Sequence, residues 1–117
     1  MASNIVKGIF ISADMEQPIK VVEFDRSDYT NIQKFVGGLF QVLDIPNASI
    51  WINEEGKLIG LPFNLRASNL LYLYRSEFIG NDALVGDALV LGQADNEGNT
   101  LSVPDKFVDL LLNPNKV

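Results

Sequence analysis

Two runs of β-branched and aromatic residues open the chain with only a few residues between them. The first is Ile5-Val6-Lys7-Gly8-Ile9-Phe10-Ile11-Ser12 and the second Ile19-Lys20-Val21-Val22-Glu23-Phe24. Such composition favours strands. The link, Asp14-Met15-Glu16-Gln17-Pro18, is a turn and is far too short for a crossover. Parallel strands need a connection of about a dozen residues or more, so the two runs must form an antiparallel hairpin. That one constraint excludes a chain built throughout from β-α-β units.

The same punctuation continues downstream. Asp25-Arg26-Ser27-Asp28 opens a helix, with Ser27 or Asp25 as its cap. Tyr29, Ile32, Phe35 and Val36 recur at helical spacing, and Gly37-Gly38 supplies the stop. Strands are expected over residues 39–44 and 48–52, with Pro46-Asn47 turning between them. A hairpin turn, Asn53-Glu54-Glu55-Gly56-Lys57, with Gly56 left-handed, leads to a short return strand at Leu58-Ile59. Asn64 then caps a second helix reaching about Arg75. Residues 88–92 read as a buried strand and residues 101–103 as a small one. A last helix starts at Pro104 and is ended by Asn113-Pro114-Asn115. The expected order is ββαβββαββα: an α+β fold with a largely antiparallel sheet and two to three helices packed on it. A chain of 117 residues is expected to form one domain over residues 1–117, since domains usually take about 100–200 residues.

Composition narrows the chemistry. The chain has no Cys and His 0. It therefore has no thiolate nucleophile, disulfide or thiolate zinc site, and no His-based catalytic dyad. Any proton transfer would fall to Asp, Glu, Lys or Tyr. Lys+Arg 9 against Asp+Glu 15 gives a net charge of −6, which argues against direct binding to a phosphate backbone. The carboxylates are scattered, so a DNA mimic is not indicated either. The polar start Met1-Ala2-Ser3-Asn4 and the absence of a long apolar run lead to the expectation of a cytoplasmic protein with no membrane span.

The remaining motifs mostly have a plain structural role. Asp95-Asn96-Glu97-Gly98-Asn99 lacks the Gly and Glu spacing of a calcium loop and reads as a turn. Adjacent Glu54 and Glu55 form a polar tip, not a catalytic pair. Gly37-Gly38 and Gly86-Asp87 fit no phosphate-loop pattern and read as a helix stop and a strand entry. No metal site and no cofactor are implied. One segment, Gly60-Leu61-Pro62-Phe63-Asn64-Leu65-Arg66, ends at a helix N-terminus where free amides favour an anion and Arg66 adds a guanidinium. A small anionic, nucleotide-like ligand held by Asn64 and Arg66, with Trp51 or Tyr72 stacking on it, is one expectation. Leu70-Leu71-Tyr72-Leu73-Tyr74 is apolar almost all round. It is either central or a contact to a second copy, with Leu70, Leu71, Leu73 and Tyr74 as the contact residues of a homodimer.

Four segments occur in a set order: Val36-Gly37-Gly38, Asn53-Glu54-Glu55-Gly56-Lys57-Leu58, Gly60-Leu61-Pro62-Phe63-Asn64, and Gly86-Asp87 followed by the apolar run Ala88-Leu89-Val90-Leu91. Together they resemble a family of short phage, plasmid and bacterial proteins known only as a domain of unknown function. The resemblance spans nearly the whole chain. It implies a mobile-element setting and carries no activity. The expectation is a non-enzymatic accessory protein that binds a host protein, with the anionic-ligand binder as the alternative.

Overall fold

The opening hairpin forms as its short link dictates. In the computed structural model, which describes residues 4–112, β1 (Ile5–Ile11) pairs antiparallel with β2 (Lys20–Asp25), setting Ile5 opposite Asp25 and Phe10 opposite Lys20. Then follow α1 (Thr30–Val36), β3 (Phe40–Ile45), β4 (Ala48–Asn53), α2 (Leu65–Tyr74), β5 (Ala88–Leu91) and α3 (Asp105–Leu112). A single 3-10 turn, Ser76–Phe78, follows α2. The five strands form one sheet in the order β2-β1-β5-β4-β3, antiparallel throughout. The fold is α+β, as the strand grouping and turns predict.

Helices cover both faces of this sheet. Alternation along the strands sorts the core into two layers. Val6, Phe24, Trp51, Leu89 and Leu91 face α1, where Ile32 fills the layer and Phe35 and Phe40 close its edge. Ile9, Ile11, Ile45, Ile50, Ile52, Ala88 and Val90 face the other way, under Ala67, Leu70 and Leu71 of α2 and Phe107 of α3. Every residue of β4 and of β5 is consequently buried. That explains why β5, Ala88-Leu89-Val90-Leu91, reads as a continuous apolar run rather than an alternating one.

Three local expectations differ from the structure, each for a physical reason. Leu58 and Ile59 form no strand. β4 already has β3 on one side and β5 on the other, so no edge is left for a return strand. Residues 54–60 instead coil through turns closed by Ile59 N–H to Glu55 O (3.0 Å) and Leu61 N–H to Gly56 O (2.9 Å). Gly60, at φ +74°, takes the left-handed position there, not Gly56. Residues 101–103 form no strand and make only scattered hydrogen bonds. Gly92 N–H donates to Leu101 O and Val103 N–H to Lys7 O, both at 2.9 Å, beyond the end of β5. Finally, α1 starts at Thr30. Asp25 accepts from Ser27 N–H and Asp28 from Thr30 N–H (3.0 Å), two local turns that hold the chain out of the helix until Thr30. Its end agrees with expectation: Gly37, at φ 84°, donates to Gln33 O. The expected stop at Asn113-Pro114-Asn115 lies outside the described residues.

Candidate binding cleft at one end of the sheet

β1 and β4 finish at the same end of the sheet, where β5 begins: Ile11 pairs with Ala88, and Trp51 with Leu89. The C-terminus of α1 and the N-terminus of α2 arrive at this end too. Asn64 ties them together. It is fully buried, and its side-chain amide donates to Ile11 O (3.0 Å) and Gly86 O (2.9 Å). Its Oδ1 accepts from Ala67 N–H (3.0 Å), capping α2. Arg66, two residues further on, reaches over the β1–β2 link. Nη1 donates to Gln17 O, and Nη2 to Ser12 O and Asp14 O, all within 2.8–3.0 Å. Its Nε is buried and has no hydrogen-bond partner among the described residues. From the other side of the link, Asp87 Oδ1 accepts from Ala13 N–H (2.9 Å) and Ser12 Oγ–H (3.3 Å). The link is thus clamped between a guanidinium and a carboxylate.

A cleft of about 270 Å³ opens beside this clamp. Lys34, Phe35, Asn53, Ile59, Leu61 and Asp87 line it, with Gly37, Pro62 and Gly86. Asn53 is nearly buried; its amide donates to Val36 O (3.3 Å) and its Oδ1 accepts from Glu55 N–H (2.8 Å). Gly86, at φ +79°, lets residues 60–62 lie close. A Cβ there would sit 2.7 Å from Leu61 Cδ1, and Gly86 N–H donates to Pro62 O at 2.7 Å. The wall is therefore part apolar, with one cation and one carboxylate at its rim. Enclosed small-molecule sites usually run to about 300–1,000 Å³. At about 270 Å³ this cleft lies just below that range.

Ile59 in its wall and the adjacent Leu58 form an exposed apolar ledge. Leu58 is 85 % exposed and Ile59 57 %. The turns that carry them are pinned by their own backbone bonds and by an ion pair between Lys57 and Asp82. Four carboxylates have their pKa held below the ordinary range. Asp25 and Asp28 are lowered chiefly by hydrogen bonds from the hydroxyls of Ser27 and Thr30, Glu77 by one from Arg75, and Asp95 by the backbone N–H of Asn99. None lines the cleft. Among the described residues no group of three or more His, Cys, Asp or Glu could hold a metal ion.

The four residues expected to hold an anion are not gathered into one pocket. Asn64 and Arg66 sit at the start of α2 with the partners given above. Trp51 lies in the layer on the opposite face, its Nε1–H donating to Ser49 Oγ (2.9 Å) and its ring 4.8 Å from that of Phe40. Tyr72 Oη–H donates to Asp82 O (2.6 Å). Of the expected homodimer contact, Leu70 and Leu71 belong to the core and Tyr74 packs on Phe107 at 5.6 Å between ring centroids. Leu73 is exposed. The cleft residues Lys34, Asn53 and Asp87 were not singled out from sequence. Their segments were visible as separate glycine-marked turns, and nothing in the linear order joins turns so far apart.

Fold and site define an α+β protein: one five-stranded antiparallel sheet covered on both faces, with a small mixed cleft beside an apolar ledge. A family model described as a domain of unknown function (DUF3846) matches residues 6–114, and the chain belongs to that family. No curated protein and no solved structure matches it. Among the described residues no helix is long and apolar enough to cross a membrane.

Proposed function

We propose that this chain is a non-enzymatic binding protein that docks a protein partner on the Leu58-Ile59 ledge and the cleft beside it. The exposure of Leu58 carries the reading. A leucine left 85 % open on a turn gains nothing for folding. Held on a fixed turn next to a cleft, it can bury its side chain only against another molecule. The cleft's size supports a partner side chain as its occupant, and Lys34 and Asp87 at the rim supply polar orientation. In the mobile-element setting that the family resemblance implies, the partner is a host cytoplasmic protein.

The test compares wild type with a Leu58→Asp/Ile59→Asp variant as baits in host lysate, with thermal melting to check that both fold alike. Both positions are exposed, so the melting temperature should hold. A partner retained near one-to-one by wild type and lost from the variant is the expected outcome. If no protein is retained stoichiometrically, or the variant retains the same one, the reading fails.

A further inference from the structure

The two edges of the sheet are built differently. β2 lies at one end of the strand order and β3 at the other. Arg26 N–H donates to Asn4 O (2.9 Å). The alternation of an antiparallel ladder then turns the backbone groups of Val21, Glu23 and Asp25 outward. Two-fold pairing of this edge with its own copy, centred on Glu23, would set Glu23 against Glu23. Like charges directly opposite destabilise a strand pair, and charged edge residues are a common guard against such pairing.

β3 lacks that guard. Glu54 N–H donates to Leu39 O (2.8 Å), so by the same alternation Phe40, Val42 and Asp44 present their N–H and C=O groups outward. Among the described residues only Asp44 O has a partner on that side, Arg75 Nη1 at 2.9 Å. Asp44 is the sole charge in the strand, which reads Phe40-Gln41-Val42-Leu43-Asp44-Ile45. Val42, at mid-strand, is 40 % exposed. At one end Tyr29, 57 % exposed, lies with its ring 6.1 Å from that of Phe40 and widens the apolar margin.

We propose that β3 pairs antiparallel with β3 of a second copy about a two-fold axis at Val42, joining two five-stranded sheets into one. The register sets Val42 against Val42 and Phe40 against Asp44. Outward groups meet outward groups on every pair, with the Asp44 carbonyl at each end of the seam shared with Arg75 Nη1, and the two Asp44 carboxylates fall at opposite ends. The strand thus pairs with its own copy without setting like charges opposite each other, and this selects a second copy as the occupant. A two-fold contact of this kind closes on itself and yields a dimer rather than a fibre. The seam is separate from the Leu70–Tyr74 stretch that the sequence offered for self-association.

Sedimentation equilibrium on the full chain tests this, run at about 100 μM, where a contact with micromolar Kd is nearly saturated. Wild type should sediment at twice the 12.9 kDa protomer mass. Val42→Pro removes an N–H that no partner among the described residues uses and should return the mass to 12.9 kDa. Should the proline prevent folding, Val42→Lys places like charges at the axis and gives the same reading. Wild type at protomer mass would overturn the proposal and leave the edge to an extended segment of another protein. A dimer that persists in both folded variants overturns it equally.

Discussion

Replacing Asn64 should be among the most damaging single changes in the chain, and the size of the loss can be worked from its contacts. The side chain is fully buried and makes three hydrogen bonds: to Ile11 O, to Gly86 O and from Ala67 N–H. Asn64→Ala removes the helix cap, worth about 1 kcal/mol. It also orphans two buried carbonyls, each costing about 1–2 kcal/mol. The expected loss is about 3–5 kcal/mol, a large part of the roughly 5–15 kcal/mol that holds a domain together. For a chain of this size that is about 10–20 °C in melting temperature. Asn64→Asp sharpens the test because it is nearly isosteric. Its carboxylate keeps the acceptor for Ala67 N–H but turns a second oxygen toward two carbonyl oxygens. At pH 7 it should be less stable than Asn64→Ala. Burial among acceptors raises the folded pKa of that carboxyl above its unfolded value. Protonation then favours the folded state, so the stability of the aspartate variant should rise as pH falls from 7 toward about 5, while that of the alanine variant stays flat. Urea melts of both variants across that range provide the measurement. An aspartate variant as stable as wild type at pH 7, or a pH slope shared by both, would refute the assignment of Asn64 as a double donor.

Two further substitutions test the turns. Gly86→Ala should cost clearly more than Gly80→Ala: both glycines have φ near +80°, but a Cβ at 86 meets Leu61 at 2.7 Å whereas that at 80 meets open space. Equal melting temperatures for the two would show that residues 60–62 do not pack on Gly86. The depressed carboxylates predict the acid limb. Asp25, Asp28, Glu77 and Asp95 have folded pKa values below their unfolded ones, so the stability they contribute is complete above the ordinary carboxylate range and is lost as pH falls through the folded values. Asp28→Asn should therefore lower stability at neutral pH and flatten the decline below about pH 4; an acid limb unchanged by that substitution would remove Asp28 from the account.

Much of the fold was legible because short-range rules act without competition in this chain. The residues 14–18 link allows only a hairpin, Gly37 has no rival as the stop of α1, and Asn64 caps α2 as its type suggests. The failures share a cause. Whether Leu58-Ile59 becomes a strand depends on a vacancy beside β4, and that place is taken by β5, more than thirty residues later. Pairing partners at long range leave no mark on the local sequence. The candidate site was hidden for the same reason: Lys34, Asn53 and Asp87 come from three segments that only the sheet's topology brings together.

The chemistry of Arg66 and Asn64 carries the last step. An arginine at a helix start beside free amides invites an anion when only the sequence is in view. In the fold its guanidinium holds three carbonyls of the β1–β2 link, and Asn64 holds two more from β1 and from Gly86. An anion arriving at Arg66 would have to compete with those carbonyls, and releasing them would free residues 12–17 from one side of their clamp. The other side of that clamp is Asp87, which also lines the cleft. The same bonds that occupy Arg66 therefore brace the link that Asp87 joins to the cleft wall. A rim that is already ordered loses little entropy when a partner docks, and pre-organisation of this kind favours tight association from a modest surface. If the ledge docks a partner as proposed, loosening the bracing at the start of α2 should weaken that binding even though none of the braces touches Leu58.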